Sequence, residues 1–209
     1  FHGNQKDGHL YLQDAYQKGI RNFVVEKKVE NLPDANFIEV QNPLNALQIW
    51  AKYHRKQFTF PVIGITGSNG KTIVKEWLNQ LLWKKFSIVN RTKSYNSQFG
   101  AALSVLQMEE KNNLGIFEAG ISLPNEMQNL EKIIQPTIGV LTKIGDAHLE
   151  NFENQEELIL EKLKLFSHVD KLVFNIENEK VLQAILENEY LAKIDKYTYG
   201  YSDFATVQI

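Results

Sequence analysis

The residues of this chain best placed to do chemistry are Gly67-Ser68-Asn69-Gly70-Lys71-Thr72. Glycines at this spacing let a backbone bend tightly and turn its N–H groups toward a phosphate oxygen. The lysine and hydroxyl that follow supply a cation for β and γ phosphates and a ligand for Mg²⁺. The segment lies between an apolar run, Val62-Ile63-Gly64-Ile65, and an amphipathic stretch from Lys71 onward. A helix starting there would add the positive end of its dipole. The spacing departs from G-x-x-x-x-G-K-[ST], because Ile65 occupies the first glycine position and Gly67 comes later. Gly67, Ser68, Asn69, Gly70, Lys71 and Thr72 are therefore the expected nucleotide-phosphate set.

Other candidates take their meaning from that loop. Leu114-Gly115-Ile116-Phe117-Glu118 is an apolar strand ending in a carboxylate, and ligands of open α/β sheets sit at strand carboxyl ends. Glu118 is thus expected to face the loop and hold Mg²⁺, directly or through water. Asp146 and His148 follow the next strand at the same edge, where a ligand role and a structural one both remain open. From the residues alone, the segment carrying Glu156, Glu157, Glu161, Lys162 and Lys164 reads as a solvated charged helix face with i,i+4 pairs. Lys84-Lys85 and Arg91 with Lys93 read as solvated surface.

Positioning such a loop requires alternating strands and helices. Strands are predicted over 22–26, 37–40, 62–65, 87–90, 114–118, 138–142 and 172–175, and residues 199–209 read as strand, turn and a second strand. Helices are predicted over 8–18, capped by Asp7 and ended by Gly19, and from Asn42-Pro43 onward, with Leu44, Leu47, Trp50, Ala51 and His54 at helical spacing. More follow over 71–84, 97–107, 125–134, 155–166 and 179–190. The 71–84 helix carries Ile73, Val74, Trp77, Leu78, Leu81 and Leu82, read as one apolar face. The alternation implies βαβ units and a mainly parallel sheet with flanking helices, of P-loop type, plus a smaller N-terminal α/β piece. The boundary is drawn near residue 59, giving 1–59 and 60–209. The chain starts at Phe1 without methionine and ends in a strand just begun, so both ends read as cut.

Composition narrows the classes. Of 209 residues, 43% are hydrophobic and 23% charged, with 23 Lys+Arg against 25 Asp+Glu for a formal charge of -2. A near-neutral chain is not built to wrap nucleic acid or to lie on an anionic membrane. With no cysteine, thiol catalysis and Cys-ligated zinc are excluded. No apolar run reaches the roughly 20 residues of a membrane span. No signal peptide is visible, so a cytoplasmic location is expected.

Several motifs then fall into one order. Gly64-Ile65-Thr66-Gly67-Ser68-Asn69-Gly70-Lys71-Thr72 resembles the T-G-[ST]-N-G-K-T loop of the Mur ligases. Tyr95-Asn96-Ser97, Phe117-Glu118-Ala119-Gly120 and Gly145-Asp146-Ala147-His148-Leu149 resemble the next three motifs of that family. Lys162-Leu163-Lys164-Leu165-Phe166 is similar to its K-x-x-[IL]-F segment, and Asn175-Ile176-Glu177-Asn178 to a turn near the adenine. Lys143 stands where the family commonly has Asn, and Glu177 where it has Asp.

The resemblance implies an ATP- and Mg²⁺-dependent ligase of peptidoglycan precursor synthesis. Residues 1–59 would be a truncated UDP-sugar-recognising domain and 60–209 a truncated central ATP-binding domain, with a C-terminal domain beyond. Phe1-His2-Gly3, Asp7-Gly8-His9 and the helix to Gly19 resemble the UDP-sugar domain of the member that adds D-alanyl-D-alanine to UDP-N-acetylmuramoyl-tripeptide, and Gly64 to Trp77 with Ser94-Tyr95-Asn96-Ser97-Gln98 resembles its form fused to an alanine racemase. The tripeptide carboxylate would attack the γ-phosphate of ATP, and the dipeptide amine would displace phosphate from the acyl phosphate. Carried over residue by residue, Lys71 and Thr72 bind phosphate and Mg²⁺, and Glu118 and His148 join the metal site. Asn96 and Ser97 lie near substrate, and Asn175 and Asn178 near the base. Lys162 becomes a carbamylated lysine, a catalytic group and a metal ligand, against its reading as surface. The alternatives are another Mur-type ligase, a folylpolyglutamate synthase, a P-loop kinase or switch NTPase, and a non-catalytic nucleotide-binding module. For the 209 residues alone, binding without ligation is expected.

Overall fold

The computed structural model describes residues 7–27, 32–89, 97–145 and 149–209. The chain divides into two compact units, Phe1–Trp50 and Ala51–Ile209. This division falls inside a helix, nine residues before the boundary drawn at the end of that helical pattern.

In the first unit the Asp7 carboxylate accepts the His9 N–H and opens a 3₁₀ turn, Gly8–Tyr11, that runs into α1 (Leu12–Gln17). Strands β1 (Asn22–Val25) and β2 (Asn36–Glu39) pair in parallel, with Phe23 stacked on Phe37. Helix α2 (Pro43–Arg55) starts where the Asn42 side chain accepts the Asn45 N–H. It passes into the second unit at Ala51.

The second unit is built on β3 (Val62–Thr66), β4 (Gly115–Glu118), β5 (Ile138–Leu141), β6 (Lys171–Asn175), β7 (Asp195–Gly200) and β8 (Val207–Gln208). Among the described residues these form one sheet in the order β4-β3-β5-β6-β7-β8, and every neighbouring pair is parallel. Every residue of β3 and β4 is buried, as a parallel strand covered on both faces requires. The strand order reverses at β3: the chain goes next to β4 on one side, then back to β5 on the other. That reversal opens a crevice at the carboxyl ends of β3, β4 and β5.

The helices are α3 (Lys71–Leu82), α4 (Gln98–Val105), α5 (Met127–Ile134), α6 (Gln155–Leu163) and α7 (Glu179–Glu187). Side chains cap three of them: Ser97 for α4, Asn154 for α6 and Asn178 for α7. A 3₁₀ turn, Lys164–Phe166, continues α6, which accounts for the longer helix expected over 155–166. The last helix ends at Glu187, short of the residue 190 expected.

Two expectations need correction. The strand over 87–90 reduces, among the described residues, to a single bridge between Ile88 and Leu114. The six apolar residues of α3 are two stripes, not one face. Val74, Leu78 and Leu82 pack on Ile63, Ile65, Ile88, Leu114 and Ile116, whereas Ile73, Trp77 and Leu81 are exposed. Each stripe has i,i+4 spacing, and they lie about 100° apart, so a helix laid on one sheet face buries only one. The face beside the buried stripe carries Lys75 and Asn79, both buried. Likewise in α2, Trp50 is exposed and the buried positions are Ala51 and Arg55. The Arg55 guanidinium donates to the carbonyls of Ile134, Phe58 and Gln135, tying the end of α2 to the turn before β5.

Candidate nucleotide and metal site

Strand β3 delivers the chain to Gly67 with φ +147°, in a region that favours glycine, buried against β5. A Cβ there would collide with the Thr142 hydroxyl. Gly70, at φ +86°, starts α3, and no side chain caps that helix. The exit of β5 pins the loop from the other side. Ser68 N–H and Asn69 N–H both donate to the Lys143 carbonyl, at 2.9 and 3.2 Å, and the Thr142 hydroxyl reaches the Asn69 carbonyl at 2.7 Å. The Ser68 hydroxyl donates to the Gly145 carbonyl at 3.0 Å. Lys143, in the position where Asn was expected, thus serves the loop through its backbone while its side chain is exposed.

Two ammonium groups converge on one carbonyl. Lys71 Nζ donates to the Gly67 carbonyl at 2.8 Å and to that of Ser68 at 3.3 Å. Lys162 Nζ, from α6, reaches the same Gly67 carbonyl at 3.3 Å. Lys162 is only 1% exposed, so the reading of this segment as solvated surface is overturned at Lys162. Leu158, Ile159 and Leu163 of α6 are buried, and Lys162 lies on the same side of the helix. Burial, and secondarily the Lys71 charge, hold the Lys162 ammonium down to about 8. Burial also lowers the Lys71 pKa, while Glu118 opposes that change.

Glu118 closes the site from β4, in register with Ile65. Its Oε2 accepts the Thr72 hydroxyl at 2.8 Å. Its Oε1 lies 3.3 Å from Lys75 Nζ, yet has no hydrogen-bond partner among the described residues. Lys75, 3% exposed, was missed in the sequence, although it stands one helical turn beyond Lys71 on the same face. A buried carboxylate oxygen without a hydrogen bond, beside a hydroxyl, fits Mg²⁺, which takes oxygen ligands and usually keeps substrate phosphates and waters. Thr72 and Glu118 are the described residues that would hold it.

Next to Lys143 opens a cavity of about 660 Å³ lined by Thr142, Ile144, Asn175, Asn178 and Tyr199, among others. Asn175 and Asn178 also shape the turn: their side chains accept the N–H groups of Glu177 and Val181, at 2.8 and 3.1 Å. Glu177 lines the same cavity, and its Oε1 accepts the N–H groups of Tyr201 and Ser202. This glutamate, found where Asp was expected, is engaged in holding the β7–β8 turn. Of the expected site residues, Lys71, Lys162 and Gly67 meet at one point, and Thr72 pairs with Glu118. Ser97 caps α4. Asn96, Asp146 and His148 lie outside the described residues.

The same arrangement occurs in a chain with clear relatives. Residues 65–209 match the family model described as Mur ligase middle domain. A UDP-N-acetylmuramoyl-tripeptide–D-alanyl-D-alanine ligase of Rickettsia prowazekii is 34% identical over 210 residues, covering 98% of this chain and 46% of that protein. The ligase of the same name in Bacillus subtilis is 29% identical, covering 95% and 43%. The chain thus spans just under half the length of these relatives. Among solved structures, the MurF ligase of Thermotoga maritima in complex with ADP has a TM-score of 0.81 and 27% identity, covering 96% of this chain and 46% of that one. MurF of Acinetobacter baumannii has a TM-score of 0.86 at 21% identity, a likeness of fold. Among the described residues, no helix is long and apolar enough to cross a membrane.

Proposed function

This chain belongs to the Mur ligase family, and from that premise we propose that it is the nucleotide-binding portion of an ATP-dependent ligase joining D-alanyl-D-alanine to UDP-N-acetylmuramoyl-tripeptide in the cytoplasm. The names of the relatives in Rickettsia prowazekii and Bacillus subtilis support the substrates. The observation that carries the chemistry is the convergence of Lys71 and Lys162 on the Gly67 carbonyl, beside the Thr72–Glu118 pair.

Amide formation from a carboxylate and an amine needs an activated acid, and an acyl phosphate made from ATP provides it. In this reading Lys71 exchanges its carbonyl partners for β and γ phosphate oxygens and offsets the charge that moves with the phosphoryl group. Thr72 and Glu118 hold Mg²⁺, which when bound neutralises phosphate charge. His148 joins them as a ligand. Lys162 is kept partly unprotonated by burial, the form that adds CO₂, and as a carbamate its oxygens would face a second Mg²⁺ where an ammonium would repel it. Asn175 and Asn178 line the base cavity, and Asn96 and Ser97 attend the tripeptide. Residues 1–59 are the UDP-sugar side, and an amine-binding domain lies further along the parent polypeptide. A fused alanine racemase rests on the sequence resemblance, and the sequence beyond Ile209 in the parent gene tests it.

The direct test is Lys71→Ala in the parent protein. ATP turnover should vanish while the circular dichroism and the melting temperature stay at wild-type values. Undiminished turnover would remove the phosphate-loop assignment.

A further inference from the structure

Glu161 stands next to Lys162 on α6 and is buried almost as deeply, yet the phosphate and metal chemistry above gives it no part. Its carboxylate reaches to another helix: Oε1 accepts the N–H of Met127, the first residue of α5, at 3.0 Å. A helix start leaves such donors without a partner inside the helix, and the α5 N-cap supplies none. The cap residue, Glu126, turns its own carboxylate back to the N–H groups of Ser122 and Leu123. The second Glu161 oxygen takes the half-exposed Lys164 ammonium.

That bond is one half of a longer connection. The peptide group that gives its N–H to Glu161 carries the Glu126 carbonyl, which accepts Gln98 Nε2 at 2.8 Å. Gln98 opens α4 directly after Ser97, which attends the tripeptide in the function proposed above. One amide plane thus joins α6, beside Lys162, to the start of α4, and hydrogen bonds at its two ends strengthen each other. The bond also bears on how α6 is turned. Side chains on a helix stand about 100° apart in succession, so Ile159 and Leu163 lie to one side of Leu158 and Glu161 to the other, with Lys162 between. Apolar contacts have no direction and leave a helix some freedom to roll. On the Glu161 flank α6 has no buried apolar residue, and the directional bond to Met127 stands there instead. A roll would carry Lys162 Nζ away from the Gly67 carbonyl, which it meets at 3.3 Å. We propose that Glu161 is a positioning residue that, through the 126–127 peptide, fixes the roll of α6 and holds the Lys162 nitrogen at the phosphate loop. The proposal rests on the reading of Lys162 as the carbamylated lysine and adds the group that aims it.

The test uses the full-length parent protein equilibrated with ¹³C-bicarbonate, in which the neutral Lys162 amine bonds the carbon of CO₂ and releases one proton to water. Carbon-13 NMR reads the carbamate, calorimetry the ADP affinity, and phosphate release the kcat. Glu161→Asp keeps the charge but is one methylene too short for Met127. It should lose most of the carbamate signal and about tenfold or more in kcat, with ADP affinity unchanged. Glu161→Gln keeps the length and an oxygen for the Met127 N–H, and should match wild type in both readouts. Lys164→Met, which removes only the half-exposed ion pair, should match it too. A merely structural glutamate would lower the melting temperature of Glu161→Asp and leave its carbamate and kcat unchanged, which overturns the proposal. Loss of both in Glu161→Gln or Lys164→Met also overturns it, since charge and not the bond to Met127 would then be at work. A wild type that forms no carbamate instead overturns the carbamate reading of Lys162, and the proposal with it.

Discussion

Lys162→Met should make the protein more stable at neutral pH. The lysine is 1% exposed, and its ammonium is held down to about 8 from an ordinary 10.5 by burial and by Lys71. Each pH unit by which a pKa moves on folding is worth about 1.4 kcal/mol, so a buried Lys162 cation costs the fold about 3 kcal/mol below pH 8. The sign follows from proton counts. Below about 8 both folded and unfolded chains carry the proton, and the cost is fully present. Between about 8 and 10.5 the folded chain loses the proton while the unfolded chain keeps it, so stability rises with pH; above 10.5 it levels off. Methionine of similar length removes the charge, and the Gly67 carbonyl keeps its bond from Lys71. Urea denaturation in CO₂-free buffer at pH 7 and at pH 10.5 reads both quantities. The variant should exceed wild type by about 3 kcal/mol at pH 7, with the gap closing toward zero at the higher pH. Neither Lys162→Met nor Lys162→Arg should support ligation, since neither side chain forms the carbamate. A variant less stable than wild type at pH 7, or a gap that ignores pH, would show that burial of this cation is not what strains the fold.

Two further substitutions probe the frame. Gly67→Ala forces a Cβ against the Thr142 hydroxyl at φ +147°, so it should destabilise by about 2 kcal/mol or more and weaken ADP binding; an unchanged urea midpoint would contradict the loop geometry. Arg55→Met strips a charged donor from three carbonyls at the amino-terminal edge of the sheet and should cost about 3 kcal/mol. Because that edge is opposite the phosphate loop, ADP affinity measured calorimetrically on the folded variant should not change.

The sequence carried the loop, the strand that precedes it and Glu118, because glycine spacing and strand-terminal carboxylates are local signals that a parallel sheet leaves little freedom to rearrange. It carried the N-caps less fully: Asn178 was read for the nucleotide, whereas its side chain also starts α7. The buried cations were the least legible. In the sequence Lys162 reads as part of a solvated face and neither Lys75 nor Arg55 stands out, and only tertiary packing shows that all three are buried. For Lys162 the family resemblance contradicted the periodicity, and the side chain is buried, not solvated. For Lys75 a signal existed in its i+4 relation to Lys71, but hydrophobic patterning masked it, because Ile73, Trp77 and Leu81 looked as fit for the core as Val74, Leu78 and Leu82.

Ligase chemistry itself is decided by phosphate release from ATP in the parent protein, supplied with UDP-N-acetylmuramoyl-tripeptide and each candidate amine in turn. Release should require Mg²⁺ and the tripeptide, and D-alanyl-D-alanine should drive it where single amino acids and glutamate do not. Release driven equally by any amine, or by none, would contradict the proposed ligase.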